Sequence, residues 1–481
     1  MLDNRLKKCA ELVSGKGIAC DVGTDHAYLA AELVLSGKCR SVIASDVKEG
    51  PLASARSTVE KNGIADKVQL ILSDGLENVP MDGVTDIIIA GMGGETIADI
   101  IGNPDISFDG IHLILQPMTK AEILRKELYR HGFCITSEHI VEDGDKMYVI
   151  MCAENSGEWR KLTETDSLYG FFDDNDPLTA KYRQKESARL AKISESLEAA
   201  GKSDEAQHYA ALSYRLANGT DMVRTEAVYN YLDELYPFRA QEKWDNSGLL
   251  VESMDMECSR ILLTLDITND AVDDAEEMGA DLIISHHPVI FDPLRRVSRN
   301  SPVFRLVSAD IAAICAHTNL DIADGGTNGV ILRKLSEKFH LTSRPEPFEE
   351  LGDGRAFGWI IELNEAVSPE SIGEAAKEIF GCEYVRMSRV RRDIKRIAFC
   401  SGSGGSMLDI ALSKNCDAYI TGDVKHDVWI DANNYGLVLL DCGHFHTENI
   451  VLTELRRVLE KKFPQIDIEI SDYSVDPVMY V

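Results

Sequence analysis

From Gly17 to Glu154 short apolar runs, each closed by small or acidic residues, alternate with helical stretches: GIACDVG, SVIASDV, VQLILSDG, TDIIIAGMGG and IHLILQP. This alternation predicts parallel strands joined by helices, a doubly wound α/β sheet. Two further runs, FCITSEHIVEDG and KMYVIMCAE, are parted only by a short turn and predict an antiparallel hairpin added to the sheet. From Asp176 to Leu216 the strand signal stops. Leu190, Ile193, Leu197 and Ala200 on one side of Gly201, and Tyr209, Leu212 and Leu216 on the other, recur at helical spacing, as expected of two antiparallel helices forming an arm. After NGTDM (Asn218 to Met222) a second α/β series begins, with RILLTLD, ADLIISHHP, AAICAHTNLD, RAFGWIIEL, RIAFCSGSG, AYITGD and LVLLDCGH as strand candidates. These fall into two lobes around a Pro- and Glu-containing stretch, Ser343 to Asp353.

A chain of 481 residues has room for two to four domains at roughly 100 to 200 residues each. With 44% hydrophobic and 27% charged residues the composition is ordinary globular. The 11 cysteines are scattered and form no CxxC pair, so neither a disulfide framework nor a thiolate zinc site is suggested. No apolar run approaches the roughly 18 residues of a membrane span. The charged start, Met1 to Glu11, does not read as a secretory signal, so a cytoplasmic protein is expected. A formal net charge of −30 opposes bulk nucleic-acid binding, so any RNA partner must meet local basic stripes. Lys181, Lys185, Arg189 and Lys192 make one such stripe along the first arm helix. A solvated helix face is the alternative reading; the acidity of the rest of the chain gives the four cations weight as an RNA contact.

In a doubly wound sheet the ligand lies beyond the carboxyl ends of the strands. The residues there are Asp21, Gly23, Asp25 and His26 after the first run, Asp46 after the second, Asp74 and Gly75 after the third, and Gly91, Met92, Gly93 and Gly94 after the fourth. An acid ending the second strand suits a ribose hydroxyl pair, and Gly23 lets backbone approach the ligand. DVGTDH lacks the later glycines of a dinucleotide fingerprint, which favours a nucleoside cofactor without phosphate, such as S-adenosylmethionine. For Gly93 and Gly94 a helix-entry turn is the reading kept.

ACDVGTDHAYLA, ASDVKEGPLASAR, SDGLENV, IIIAGMGGETI and LILQP, in that order, resemble the TrmK family of bacterial tRNA adenine N1-methyltransferases, over about Met1 to Gly219. Met118 stands where Asn is expected in the family. The resemblance implies a class I, Rossmann-like methyltransferase domain with a helical-hairpin arm. It places S-adenosylmethionine against Asp21, Gly23, Asp46, Asp74, Gly75, Gly91 and Met92. Methylation at N1 needs an extruded, aligned adenine more than it needs a base. Asp25 is the candidate carboxylate beside the exocyclic amine, with His26 orienting it; a turn residue capping the next helix is the alternative for Asp25.

In the second half SHHP, HTNLD, TGDVKHD and GHFHTE each follow a strand candidate. Adjacent histidines diverge and suit two neighbouring metals, and His444 and Glu448, four apart at a helix start, can project to one point. His, Asp and Glu without Cys suit Zn, Mn or Fe. With WDNSGLL and LTLDIT these motifs resemble the NIF-three-like family, also labelled GTP cyclohydrolase I type 2 homologues, over about Met222 to Val481. The resemblance implies His286, His287, Asp321, His444 and Glu448 as ligands of two divalent ions, with Glu448 bridging and His317 and His446 in supporting or structural roles. The stretch Ser343 to Asp353 is too short for the inserted domain of longer members, so the compact form is expected.

The sequence therefore reads as α/β throughout: a methyltransferase domain over residues 1–160, an arm and linker over 161–221, and a two-lobed dinuclear metal domain over 222–481. The expected activity is tRNA adenine N1-methylation, fused to a metal-dependent hydrolase-like protein. The alternative is a small-molecule methyltransferase with a non-catalytic, metal-holding regulatory scaffold. Homo-oligomerisation through the metal domain is expected, and a membrane partner is not.

Overall fold

The computed structural model describes residues 2–157, 159–352 and 355–479. The chain divides into two compact units, Met1–Lys192 with Leu212–Asn218, and Ile193–Ala211 with Gly219–Val481. Among the described residues no helix is long and apolar enough to cross a membrane.

In the first unit the five apolar runs are strands β1 (Ile18–Val22), β2 (Val42–Asp46), β3 (Val68–Leu72), β4 (Val84–Met92) and β5 (His112–Pro117), all parallel. β6 (Phe133–Asp143) and β7 (Lys146–Asn155) form the antiparallel hairpin, and β7 pairs with β5. The sheet order is β3-β2-β1-β4-β5-β7-β6, which leaves β1 and β4 as neighbours at the centre. Ile87 and Ile89 pack into the cluster on one face and Ile88 into the cluster on the other. Helices cover both faces, so a central strand is apolar without alternation. A register shift in β4 between Ala90 and Met92 lifts the chain out of the ladder at Gly91, where the site begins. At the opposite, amino-terminal ends of β4 and β5, the buried Asp86 accepts from Ser14 at 2.7 Å and lies 3.3 Å from His112 Nδ1.

The arm is a pair of helices, Pro177–Ala199 and Ser203–Asn218, turned at Gly201 with φ +75. The segment leading into it is tied down by Arg125, fully buried on helix Ala121–Arg130. The guanidinium donates to Glu138 Oε1 at 2.8 Å and to the carbonyl of Ser167 at 2.6 Å, and lies 5.4 Å from the Phe172 ring centre. Glu138 also accepts the Phe171 N–H.

The second unit holds two sheets. One runs Asp467–Ile470, Arg260–Thr264, Leu282–Ser285, Ala312–Cys315, Gly248–Val251, the first four strands parallel and the last antiparallel. The other runs Glu346–Gly352, Arg355–Val367, Ile394–Phe399, Ala418–Thr421, Val438–Asp441, Arg386–Met387, with the three strands from Ile394–Phe399 to Val438–Asp441 parallel. The Pro- and Glu-containing stretch differs from its sequence reading: Glu346–Gly352 is an edge strand paired with Arg355–Val367, and Asp353 lies outside the described residues. Pro347 is tolerated because an edge strand can leave one N–H side unpaired.

Candidate active sites

At the carboxyl end of β1 the chain turns through Gly23 (φ +74), Asp25 (φ +49) and Ala27 (φ +53) before helix Tyr28–Leu35. The positive φ at Gly23 favours glycine there, and a Cβ would press on the flexible end of Met92, 2.3 Å from its Cε. Asp21 is buried and accepts the Thr24 hydroxyl at 2.6 Å, which commits it to shaping this turn. Burial lifts its carboxyl to about 6, against the lowering effect of the Thr24 and Ala30 hydrogen bonds. Asp46 accepts from the N–H of Lys48 at 3.0 Å and of Asp25 at 3.3 Å, linking the ends of β1 and β2. Asp74 is exposed beside Gly75 (φ +52), beyond β3.

The helix after this turn has Ala27 at its N-cap and no side-chain cap, so the Asp25 carboxylate is not spent on capping. It is 68% exposed and stands 3.5 Å from His26 Nε2, whose ring lies 5.4 Å from that of Tyr28. The structure thus gathers Gly23, Asp25, His26, Asp46, Asp74, Gly91 and Met92 at one end of the sheet.

Sequence reasoning missed Arg5 and Gln116. Gln116 is fully buried, and its Oε1 accepts both the Gly91 N–H, at 3.1 Å, and Arg5 Nη1. Arg5, on helix Asn4–Leu12, is 15% exposed, 3.3 Å from Asp3 and 5.9 Å from the centre of the Tyr148 ring. Nothing in the sequence around Arg5 signals this placement, which depends on Gln116, 111 residues away.

All four arm cations are exposed on helix Pro177–Ala199. Lys181 pairs with Glu142 and Arg189 with Glu186, at 2.7 Å in the latter case.

In the second unit the five proposed ligands come from the carboxyl ends of both sheets. His286 and His287 follow Leu282–Ser285, Asp321 lies on helix Thr318–Ile322, and His444 and Glu448 lie on helix His444–Asn449. Glu448 Oε2 is 3.0 Å from Nε2 of both His287 and His444 and 3.6 Å from that of His286, which in turn is 3.7 Å from Asp321. Ligand atoms of His287, His444 and Glu448 form one close group and those of His286, Asp321 and Glu448 another, sharing Glu448. A third group joins His286, His287 and His317.

The tautomers decide what such a cluster holds. His286 Nδ1 is 2.9 Å from the Ala316 carbonyl, which can only accept, so Nδ1 carries the proton and Nε2 a lone pair. His287 Nδ1 lies 2.8 Å from Asp266 and His444 Nδ1 2.8 Å from Asp423, the usual way a carboxylate fixes a ligating imidazole. Three lone pairs therefore converge on two carboxylates. His286 Nε2 and Glu448 Oε2 are buried without any hydrogen-bond partner. Only cations reconcile that arrangement. Without a metal those cations are protons: burial pulls His287 and His444 down, but their carboxylate partners outweigh it and lift them to about 10 and about 9. Burial likewise opposes ionisation of Glu448, yet the three histidines hold it well below the usual range.

Gly402 (φ +63) completes the wall, since a Cβ there would meet Glu448 Oε1 at 2.2 Å. His317 Nδ1 is anchored 2.8 Å from Asp245, which also accepts from Thr318 at 2.5 Å. His446 pairs with Asp476 at 3.3 Å, away from the ligand groups. Asp245, Asp266 and Asp423 lay in quoted motifs without an assigned part; their signal was position directly after a strand or beside a ligand motif.

Two parallel-cored sheets meeting at their carboxyl ends over a cluster of histidines and carboxylates that could hold metal define a two-lobed α/β protein, here carried on one chain with a Rossmann-like domain. The chain belongs to the Duf34/NIF3 (NGG1p interacting factor 3) family, whose model matches residues 223–477. A methyltransferase domain occupies the other end, matched over residues 2–151. A GTP cyclohydrolase 1 type 2 homolog of Clostridium perfringens is 30% identical over 261 residues, spanning 53% of this chain and 98% of that protein. One from Campylobacter jejuni is 31% identical over 52% of this chain and 97% of its own length. Among solved structures, Streptococcus pneumoniae Sp1610, described as a candidate tRNA (m1A22) methyltransferase, is 35% identical, with 45% of this chain and 100% of that one covered and a TM-score of 0.41.

Proposed function

We propose that the first unit transfers a methyl group from S-adenosylmethionine to adenine N1 of tRNA, and that the NIF3 domain is a dinuclear metal hydrolase. For the methyltransferase the supporting observation is that the ordered blocks converge on one strand-end site with an uncapped, exposed Asp25 at its rim. S-adenosylmethionine, when bound, supplies an electrophilic sulfonium methyl. Gly23 and Gly91 admit it close to the backbone, Asp46 takes its ribose hydroxyls, and Arg5 is the cation placed for its carboxylate. Asp25 accepts a hydrogen bond from the adenine exocyclic amine and stabilises the positive charge that develops as N1 is alkylated. His26 holds that carboxylate in place, and the arm cations engage phosphates of the tRNA body. Nucleoside mass spectrometry of unmodified tRNA incubated with the protein and S-adenosylmethionine tests this reading: N1-methyladenosine is expected, and its absence removes tRNA as the substrate.

For the NIF3 domain the supporting observation is the set of three imidazole lone pairs facing a shared carboxylate. His287, His444 and Glu448 would hold one divalent ion and His286, Asp321 and Glu448 a second. Such a pair supplies Lewis acidity and an activated water. Asp266 and Asp423, at Nδ1 of His287 and His444, would fix the tautomer that turns Nε2 toward the ions, and His317, steadied by Asp245, borders the same space. Elemental analysis of protein purified without chelator tests it; two equivalents are expected, and none would end the metal reading.

A further inference from the structure

The dinuclear reading leaves the substrate open, because a metal-activated water can open a purine ring or cleave a phosphoester. A cavity of about 560 Å³ lies against His287 and His444, within the usual size of a small-ligand pocket. Its walls combine apolar surface from Leu265, Phe445, Pro477 and Val478 with four carboxylates and one guanidinium, that of Arg386.

Each carboxylate is already committed. Asp266 and Asp423 hold the Nδ1 protons of His287 and His444. Asp441 accepts the N–H groups of Val424 and Gly443, both at 3.0 Å, and Asp476 accepts the Val478 N–H at 2.9 Å and pairs with His446. Arg386 is differently placed. One terminal nitrogen, Nη2, pairs with Asp441, while Nη1 and Nε have no partner among the described residues. The side chain is 59% exposed and lies 5.8 Å from the Trp429 ring centre. Among the described residues that line the cavity it is the one cationic donor other than the histidines.

Resting on the dinuclear reading, we infer that the cavity binds a phosphomonoester of an aromatic or heterocyclic alcohol, gripped by Arg386 as well as by the metal face. The flat group lies along Phe445 and Leu265, and planar guanidinium donors match phosphoryl oxygens. Charge argues against a nucleoside triphosphate. One guanidinium offers its donors to a single phosphoryl group, and the four wall carboxylates would repel the further charge of a triphosphate. Hydrolysis of the ester consumes one water: its oxygen bonds to phosphorus, the ester P–O bond breaks, and a water proton leaves with the alcohol.

The test is calorimetric titration of the full, metal-loaded chain with phenyl phosphate, inorganic phosphate and GTP, in the native protein and in Arg386→Ala and Arg386→Lys. Metal content measured on each sample serves as the fold control. The expected order is phenyl phosphate tighter than inorganic phosphate and tighter than GTP. Arg386→Ala should weaken phenyl phosphate by about tenfold or more, the scale of one charged hydrogen bond, with Arg386→Lys in between. Equal affinity in native and Arg386→Ala protein, each carrying two metals, or GTP binding tightest, would overturn the phosphomonoester assignment alone. Protein that takes up no metal would overturn the dinuclear reading together with it.

Discussion

Asp25 and Glu448 show how one functional group, a carboxylate, is set to opposite tasks by its surroundings. Asp25 is two-thirds exposed on a left-handed turn, with His26 as its side-chain neighbour. On the proposed mechanism, replacing it with Ala would remove charge stabilisation and leave the proposed cofactor contacts in place. Methyl transfer to tRNA is therefore expected to fall by about 10² or more, with S-adenosylmethionine affinity by titration unchanged; full turnover would exclude Asp25 from the mechanism. Glu448 is fully buried among three histidines and belongs to both ligand groups. Glu448→Ala should lose both metals by elemental analysis, whereas His286→Ala should lose one preferentially. The grouping of the proposed ligands was legible because pairs such as His286 with His287 and His444 with Glu448 are adjacent or one turn apart. Arg5 was not, because nothing local in NRLKKC marks the guanidinium as folded beneath Tyr148 and against Gln116, 111 residues away.

Elements are most legible where burial on both faces makes the pattern self-evident. IIIA in β4 lies between two apolar clusters and could only be a central strand. Glu346–Gly352 reads in sequence as a connection because an edge strand with Pro347 and three glutamates has a polar, broken pattern and is fixed by pairing with Arg355–Val367. The arm was legible as two helices, but the face proposed to meet RNA was only a charge stripe. Changing Lys181, Lys185, Arg189 and Lys192 to Gln should weaken tRNA binding and flatten its salt dependence, by about 0.7 to 0.9 in slope for each phosphate no longer neutralised. An unaltered slope would make the stripe a solvated face.

At the amino-terminal ends of β4 and β5, the hydrogen bond to Asp86, aided by a contact with Cys152 and opposed by burial, raises His112 from 6.5 to about 9. Burial acts to raise Asp86, but hydrogen bonds from His112 and Ser14 overcome it and lower that group from 3.8 to about 2. A raised histidine stabilises fully below 6.5 and ceases to as pH rises through about 9; a lowered aspartate stabilises above 3.8 and ceases to as pH falls through about 2. Urea midpoints of His112→Gln should thus fall furthest below native between pH 3.8 and 6.5, and the gap should narrow as pH rises from 6.5 to about 9. A gap independent of pH would mean that the pair contributes only packing.

On the scale of the molecule the account rests on two sites of unlike chemistry, each built from its own sheets. Among the described residues the possible metal-ligand groups include none of the strand-end glycines and acids of the first unit, and their members all lie beyond Met222. We propose a boundary near residue 221. The division into compact units refines that proposal, because Ile193–Ala211 groups with the second unit, where His208 is 2.8 Å from the buried Glu460. A fragment beginning at Met222 lacks that partner, so the full chain is the sample of choice. The central claim, two separate ligand sites on one chain, is tested most directly by scanning calorimetry of the full chain with and without S-adenosylmethionine, and with and without chelator. A ligand that binds one native domain raises the transition of that domain by an amount set by its concentration over Kd. Two transitions are expected, with S-adenosylmethionine raising one and metal removal lowering the other; if either treatment moved both together, or S-adenosylmethionine moved neither, the account would be contradicted.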